Sequence, residues 1–235
     1  MRHRWSSLLA GLVLAGGSML AAAGPAGASM TRSAASSDEA GYVATGKAGA
    51  FTVVSSDWAQ PTAHCTSGDQ YASFWVGLDG YNSDTAEQAG TDADCAGPAP
   101  EYFAWYELYP APPVTFSNTV KPGDEMAASV SYVGSNKFTI KVADTTQGWS
   151  HTVTQSLAAA ARSSAEIFVT APASTGVLPI TDFGKVTFTA AMVNTAGLCK
   201  SSPMAVSTPS LMVSGITGCT TFTVTQVQAQ RRARP

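Results

Sequence analysis

The sequence predicts an all-β protein, an antiparallel β-sandwich, and three observations carry that expectation. Short segments in which apolar and polar residues alternate recur from about residue 41 to 227, the period of a strand with one face buried. Turn signals separate them, at Asp79-Gly80, Lys121-Pro-Gly-Asp124, Val133-Gly-Ser-Asn136 and Phe183-Gly184. No long amphipathic helix intervenes, so there is no βαβ rhythm and no parallel sheet. Composition agrees. Charged residues make up 12% of the chain, against about 25% in an average soluble protein, and 45% are hydrophobic. Such a chain is too apolar to be disordered and lacks the basic footprint of a nucleic-acid binder. Its 235 residues suit one sandwich domain.

The elements follow in chain order. Met1-Arg-His-Arg4 is basic, Ser7 to Leu20 is apolar and Ala26-Gly27-Ala28 fits a small-x-small cleavage site. Residues 1–28 are therefore expected to be a secretory signal peptide and the mature protein to be secreted. An uncleaved anchor is the alternative, and Gly16-Gly17-Ser18 interrupts it. Cleavage leaves 11 basic against 16 acidic residues, a mildly acidic protein. No later segment holds 18 uninterrupted apolar residues, so no stable membrane association is expected. Residues 29–40 are small and polar, like a flexible lead-in or short pro-segment.

The domain is expected over residues 41–227. Phe51-Thr-Val-Val54 is short and β-branched, and Tyr71 to Asp79 contains Phe74-Trp75-Val76. In Glu101–Tyr109, Tyr102, Ala104, Tyr106 and Leu108 share one face, with Phe103, Trp105, Glu107 and Tyr109 on the other. Lys137 to Val142 places Phe138, Ile140 and Val142 inward; Val186, Phe188 and Ala190 repeat that pattern, as do Phe222 and Val224. The one helix-like stretch is Leu157 to Arg162, and residues 228–235 form a basic tail expected to fray.

Export changes how the four cysteines read, because an even number outside the cytosol argues for disulfides. Three pairings are possible; Cys65–Cys95 with Cys199–Cys219 closes two loops without tangling. No C-x-x-C occurs and only His64 neighbours a cysteine, so neither a metal nor another cofactor is expected. Familiar hydrolytic machinery is also missing. The mature chain has two histidines, His64 and His151, both expected at the surface, and no G-x-S-x-G or H-E-x-x-H. Asp84-Thr-Ala86 lacks the glycine of an aspartic-protease loop, and bridged cysteines cannot serve as nucleophiles.

What remains is a concentration of aromatics and carboxylates between Phe74 and Pro110. Phe74-Trp-Val-Gly-Leu-Asp-Gly80, Glu87-Gln-Ala-Gly-Thr-Asp92 and Ala104-Trp-Tyr-Glu-Leu-Tyr-Pro110 resemble, in order, signature blocks of the glutamic peptidases, the eqolisin or G1 family. Ser164-Ala-Glu-Ile-Phe-Val169 and Thr181-Asp-Phe-Gly-Lys-Val-Thr-Phe188 extend the resemblance. It implies two curved antiparallel sheets of the concanavalin A-like kind and a glutamine–glutamate dyad. Gln88 matches the dyad glutamine and Glu166 the dyad glutamate. Trp75, Asp79, Asp92, Trp105 and Glu107 fall on positions that in the family line or support the cleft. Two positions depart from the family pattern: Ile167 stands where a tryptophan commonly follows the catalytic glutamate, and Glu39 replaces another, changes expected to trim the cleft walls.

The implied chemistry is coherent. Peptide hydrolysis needs a base for water, a donor for the oxyanion and a proton for the leaving amine. A carboxylate at Glu166 can move the proton, and the Gln88 amide offers both a donor and an acceptor. The expectation is a secreted, monomeric, metal-independent endopeptidase acting on polypeptides in acid. The rivals are a carbohydrate- or peptide-binding sandwich of the same fold and a disulfide-stapled structural protein; retention of both Gln88 and Glu166 favours the enzyme.

Overall fold

The computed structural model describes residues 38–66, 68–97, 99–171 and 178–227. The expected signal peptide and basic tail, and the lead-in up to residue 37, lie outside these residues. In chain order the strands are β1 (Glu39–Thr45), β2 (Val53–Ala59), β3 (Ser73–Asp79), β4 (Ala86–Asp94), β5 (Glu101–Tyr109), β6 (Val114–Thr115), β7 (Glu125–Gly134) and β8 (Lys137–Asp144). They continue with β9 (Trp149–Ser156), β10 (Ser164–Thr170), β11 (Lys185–Val193), β12 (Ala196–Gly197), β13 (Met204–Val206), β14 (Leu211–Val213) and β15 (Phe222–Gln226).

Two sheets result, with orders β13-β1-β10-β3-β4-β5-β6 and β14-β15-β11-β2-β7-β8-β9, and β12 pairs with β11. Their facing sides bury one continuous core. Phe74, Val76, Leu78, Ile167 and Val169 come from the first sheet, and Trp58, Met126, Phe138, Phe188 and Phe222 from the second. Two aromatic contacts across or beside this layer are edge-on, Trp58–Phe188 at 5.7 Å and Phe74–Phe183 at 5.3 Å, the geometry that the ring quadrupole prefers. The expected all-β antiparallel sandwich is the observed one, and both disulfides take the expected local pairing, Cys65–Cys95 and Cys199–Cys219.

Local details differ for physical reasons. The first strand begins at Glu39, inside the expected lead-in, because β10 and β13 pair with it from either side. Leu157–Arg162 is a turn, not a helix. Six residues are too few to nucleate a helix unaided, and the Arg162 N–H is instead bound by the Asp79 carboxylate. Ala190 does not continue the inward pattern of Val186 and Phe188. The register with β2 shifts between Thr189 and Met192, Ala190 turns outward with φ +47°, and Ala191 takes the core position.

Candidate active site

The site is built on the outer face of the first sheet, the side turned away from the sandwich core. Alternation puts Glu39, Gly41 and Val43 of β1 there, with Glu166, Phe168 and Thr170 of β10, Trp75 and Gly77 of β3, Gln88, Gly90 and Asp92 of β4, and Trp105 and Glu107 of β5. Register then aligns them in rows. One row runs Val43, Glu166, Gly77, Gln88, Glu107 across five strands. The next runs Gly41, Phe168, Trp75, Gly90, Trp105.

The first row is the informative one. Glu166 and Gln88 stand two strands apart, about 9.5 Å from backbone to backbone, and the position between them is glycine. A Cβ at Gly77 would lie 2.9 Å from the Trp75 ring and 3.2 Å from the Gln88 Cβ. The position takes glycine because the edge of the Trp75 ring and the Gln88 Cβ already occupy the space that a side chain would need. Gly77→Ala is therefore expected to lower kcat/KM at least about tenfold, because the added methyl forces the Trp75 ring and Gln88 out of place. A Gly77→Ala protein with unchanged kinetics would show that the placement of Trp75 and Gln88 beside Gly77 does not matter to turnover.

Each polar side chain in the row is held. The Glu166 carboxylate accepts hydrogen bonds at Oε1 from the Tyr81 N–H (2.7 Å) and the Ser164 hydroxyl (2.9 Å). Gly80, at φ +102°, supplies the left-handed turn that brings the Tyr81 amide this close. The Gln88 Nε2–H donates to Glu107 Oε2, which fixes the orientation of the amide. Its Oε1 is buried with no hydrogen-bond partner among the described residues. Asp79 ends β3 at φ +59° and accepts from the N–H groups of Arg162 (2.6 Å) and Ser163 (2.8 Å). It thereby ties β3 to the segment leading into β10.

An aromatic floor adjoins this row. Val43, Trp75, Trp105 and Phe168 form a buried cluster distinct from the sandwich core, with Trp75 stacked on Phe168 at 5.6 Å. The indole N–H of Trp75 donates to Thr170 Oγ1 (3.2 Å) and that of Trp105 to Asp92 Oδ1 (2.6 Å). Burial raises the Asp92 carboxyl well above the ordinary carboxylate range, against the pull of its hydrogen bonds, and burial raises Asp94 too, followed by the nearby Asp92 charge.

All seven site residues marked from sequence thus collect on this sheet, six on its outer face and Asp79 at the end of β3. Glu39 lies on the same face, opposite Thr170. Ile167 does not: it points into the core between the sheets, because neighbours on a strand face opposite ways. The expectation that it trims the cleft wall is corrected. His64 is exposed, and His151 stacks on Phe116 at 4.4 Å, outside the residues named above. Three contributors escaped sequence reasoning: Gly77, Ser164 and the Tyr81 amide. Ser164 was accessible in principle, since a residue two before Glu166 shares its face. Among the described residues no group of three or more His, Cys, Asp or Glu could hold a metal.

The residues present can activate a water, bind an oxyanion and stack an apolar side chain. The model of the Peptidase A4 family matches residues 37–233. The chain belongs to that family. These are the glutamic peptidases that the sequence blocks resemble. Solved structures of the same fold include scytalido-glutamic peptidase with a peptide-based transition state analog, at TM-score 0.70 and 24% identity, covering 82% of this chain and all of that one. SCP-B, a member of the Eqolisin family of peptidases in complex with the tripeptide Ala-Ile-His, aligns at TM-score 0.66 and 22% identity, covering 82% of this chain and 100% of its own. Aspergilloglutamic peptidase from Aspergillus niger aligns at TM-score 0.59 and 29% identity, covering 67% of this A4 peptidase and 99% of its own chain. No curated protein matches the sequence.

Proposed function

We propose that this A4 peptidase is a secreted acid endopeptidase in which Glu166 is the general base and then the general acid, and Gln88 stabilises the oxyanion and orients water. The observation that carries the proposal is the row Glu166–Gly77–Gln88, a carboxyl and an amide on one face of the sheet, separated by a residue with no side chain. Glu166 takes a proton from water, whose oxygen attacks the scissile carbonyl carbon. The Nε2 proton of Gln88 not given to Glu107 binds the developing oxyanion, while Gln88 Oε1 accepts from the attacking water. The proton held on Glu166 then passes to the leaving amine as the C–N bond breaks. The aromatic floor one row away suits an apolar substrate side chain, and the tripeptide and transition-state analog complexes of the structural relatives support a polypeptide substrate. The sequence supports export through residues 1–28, and action as a monomer is part of the proposal.

Purified protein incubated with denatured casein across pH 2 to 8 tests the proposal. Fragments are expected on the acid side of neutrality, undiminished by EDTA or by a serine-directed acylating reagent. No cleavage at any pH would leave a binding sandwich as the better account, and a peak above pH 7 would contradict a carboxyl-based mechanism.

A further inference from the structure

Glu166 occupies a difficult place for a base that must be charged in acid. The residue is 4% exposed. Asp79 lies at the end of neighbouring β3, Glu87 projects from the reverse face of β4, and Glu107 lies in the same row on β5. From β1 the facing side chain is the uncharged Val43. Arg162, with its guanidinium 3.8 Å over the Tyr132 ring, is a cation that acts on neighbouring Glu87, and the adjoining turn carries Tyr81. Burial favours the neutral acid, and so does a charge on Asp79, whereas Glu87 keeps its own proton in acid and adds no charge. A base left to these influences would gain a proton as the pH falls into the working range.

The Tyr81 N–H and the Ser164 hydroxyl, both bound to Oε1, oppose them, the second from a side chain. Ser164 is fully buried, shares the face of Glu166 by strand alternation, and gives its hydroxyl proton to Oε1. Its own placement is secured by Asp79, which takes the N–H groups of the two preceding residues and the Ser163 hydroxyl. We propose that Ser164 is a positioning residue that fixes the plane of the Glu166 carboxylate and keeps it ionised in acid, so that Ser164 sets the lower pH limit of catalysis. This rests on Glu166 being the base.

The test is the pH profile of Ser164→Ala, which removes one oxygen and keeps the strand. A hydrogen bond to a charged group is strong enough to move a carboxyl by about one pH unit. The acidic limb of kcat/KM is expected to rise by about that amount. At the optimum, kcat should fall about tenfold with KM unchanged, and Ser164→Thr, which restores the hydroxyl, should return the limb toward its original position. A Ser164→Ala limb that coincides with that of the unaltered enzyme overturns the proposal, even if Tm falls, because a purely structural role would lower Tm without moving the limb. A limb displaced equally in Ser164→Thr overturns it as well. Glu166→Gln, run alongside, separates the two levels. If it is inactive while Ser164→Ala is unshifted, only this inference fails; if it is active, the dyad fails and this inference with it.

Discussion

Glu166→Gln is expected to abolish proteolysis while leaving the fold intact. The substitution keeps shape and volume, and the amide can still accept from the Tyr81 N–H and the Ser164 hydroxyl that now meet Oε1. What it removes is the group that takes and returns the proton. General acid–base catalysis contributes roughly 10²–10⁴-fold per role, and here one group serves both steps, so a loss of on the order of 10³-fold or more in kcat is expected. Gln88→Ala should cost about 10²–10³-fold, the usual loss for one oxyanion donor. It also leaves Glu107 without the amide that it now holds. Initial rates on a quenched peptide, with circular dichroism to verify folding, check both. Appreciable turnover by folded Glu166→Gln would end the dyad assignment, and a Gln88→Ala effect confined to KM would reduce Gln88 to substrate binding.

The fold itself is expected to be most stable in acid and to weaken steadily toward alkaline pH. Glu87 is the main reason. It alternates with Gln88, so when the amide faces the cleft the Glu87 carboxyl must face the core. There it is flanked by Leu78 and Leu108, fully buried, with neither oxygen hydrogen-bonded among the described residues. Thr91, on the same side of β4, contrasts with it by accepting from the Trp58 indole. Burial, followed by the Asp79 charge, pushes Glu87 up to about 9, with Arg162 opposing and Glu166 adding to the rise. Between its ordinary value near 4.5 and about 9, the folded protein keeps a proton that the unfolded chain has lost. Stability from Glu87 is therefore fully present below about 4.5 and declines as pH rises, by up to about 1.4 kcal/mol per pH unit. The raised Asp92 and Asp94 act in the same direction. Urea unfolding at pH 4, 6 and 8 should show the decline. Glu87→Leu, which suits a site between two leucines, should raise stability at pH 8 and flatten the slope by about one proton. An identical slope in the variant would mean that the Glu87 carboxyl is solvated in the native state.

Strand alternation is a local property with period two, so the sequence alone determined which residues of β5 and β8 point together, and hence the sandwich. The same alternation placed Trp105 with Glu107, and ordered motif blocks marked Gln88 and Glu166. β4 and β10 were harder to assign as strands, because every residue in them is buried and no exposed face breaks the run. The alternation of β4 also implied that Glu87 faces opposite to Gln88, but only the second sheet packed over it turns that direction into an unpartnered acid in a core. Register between strands decided the rest. Glu166 meets Gly77 and Gln88 because β10, more than seventy residues after β4 in the chain, inserts between β1 and β3. The Ser164 and Tyr81 donors to Glu166 come from β10 itself and from the turn after β3, and Asp79 binds residues 83 and 84 positions away. Such contacts depend on how backbones are aligned across a sheet, a collective outcome of core packing that no local pattern of residues encodes.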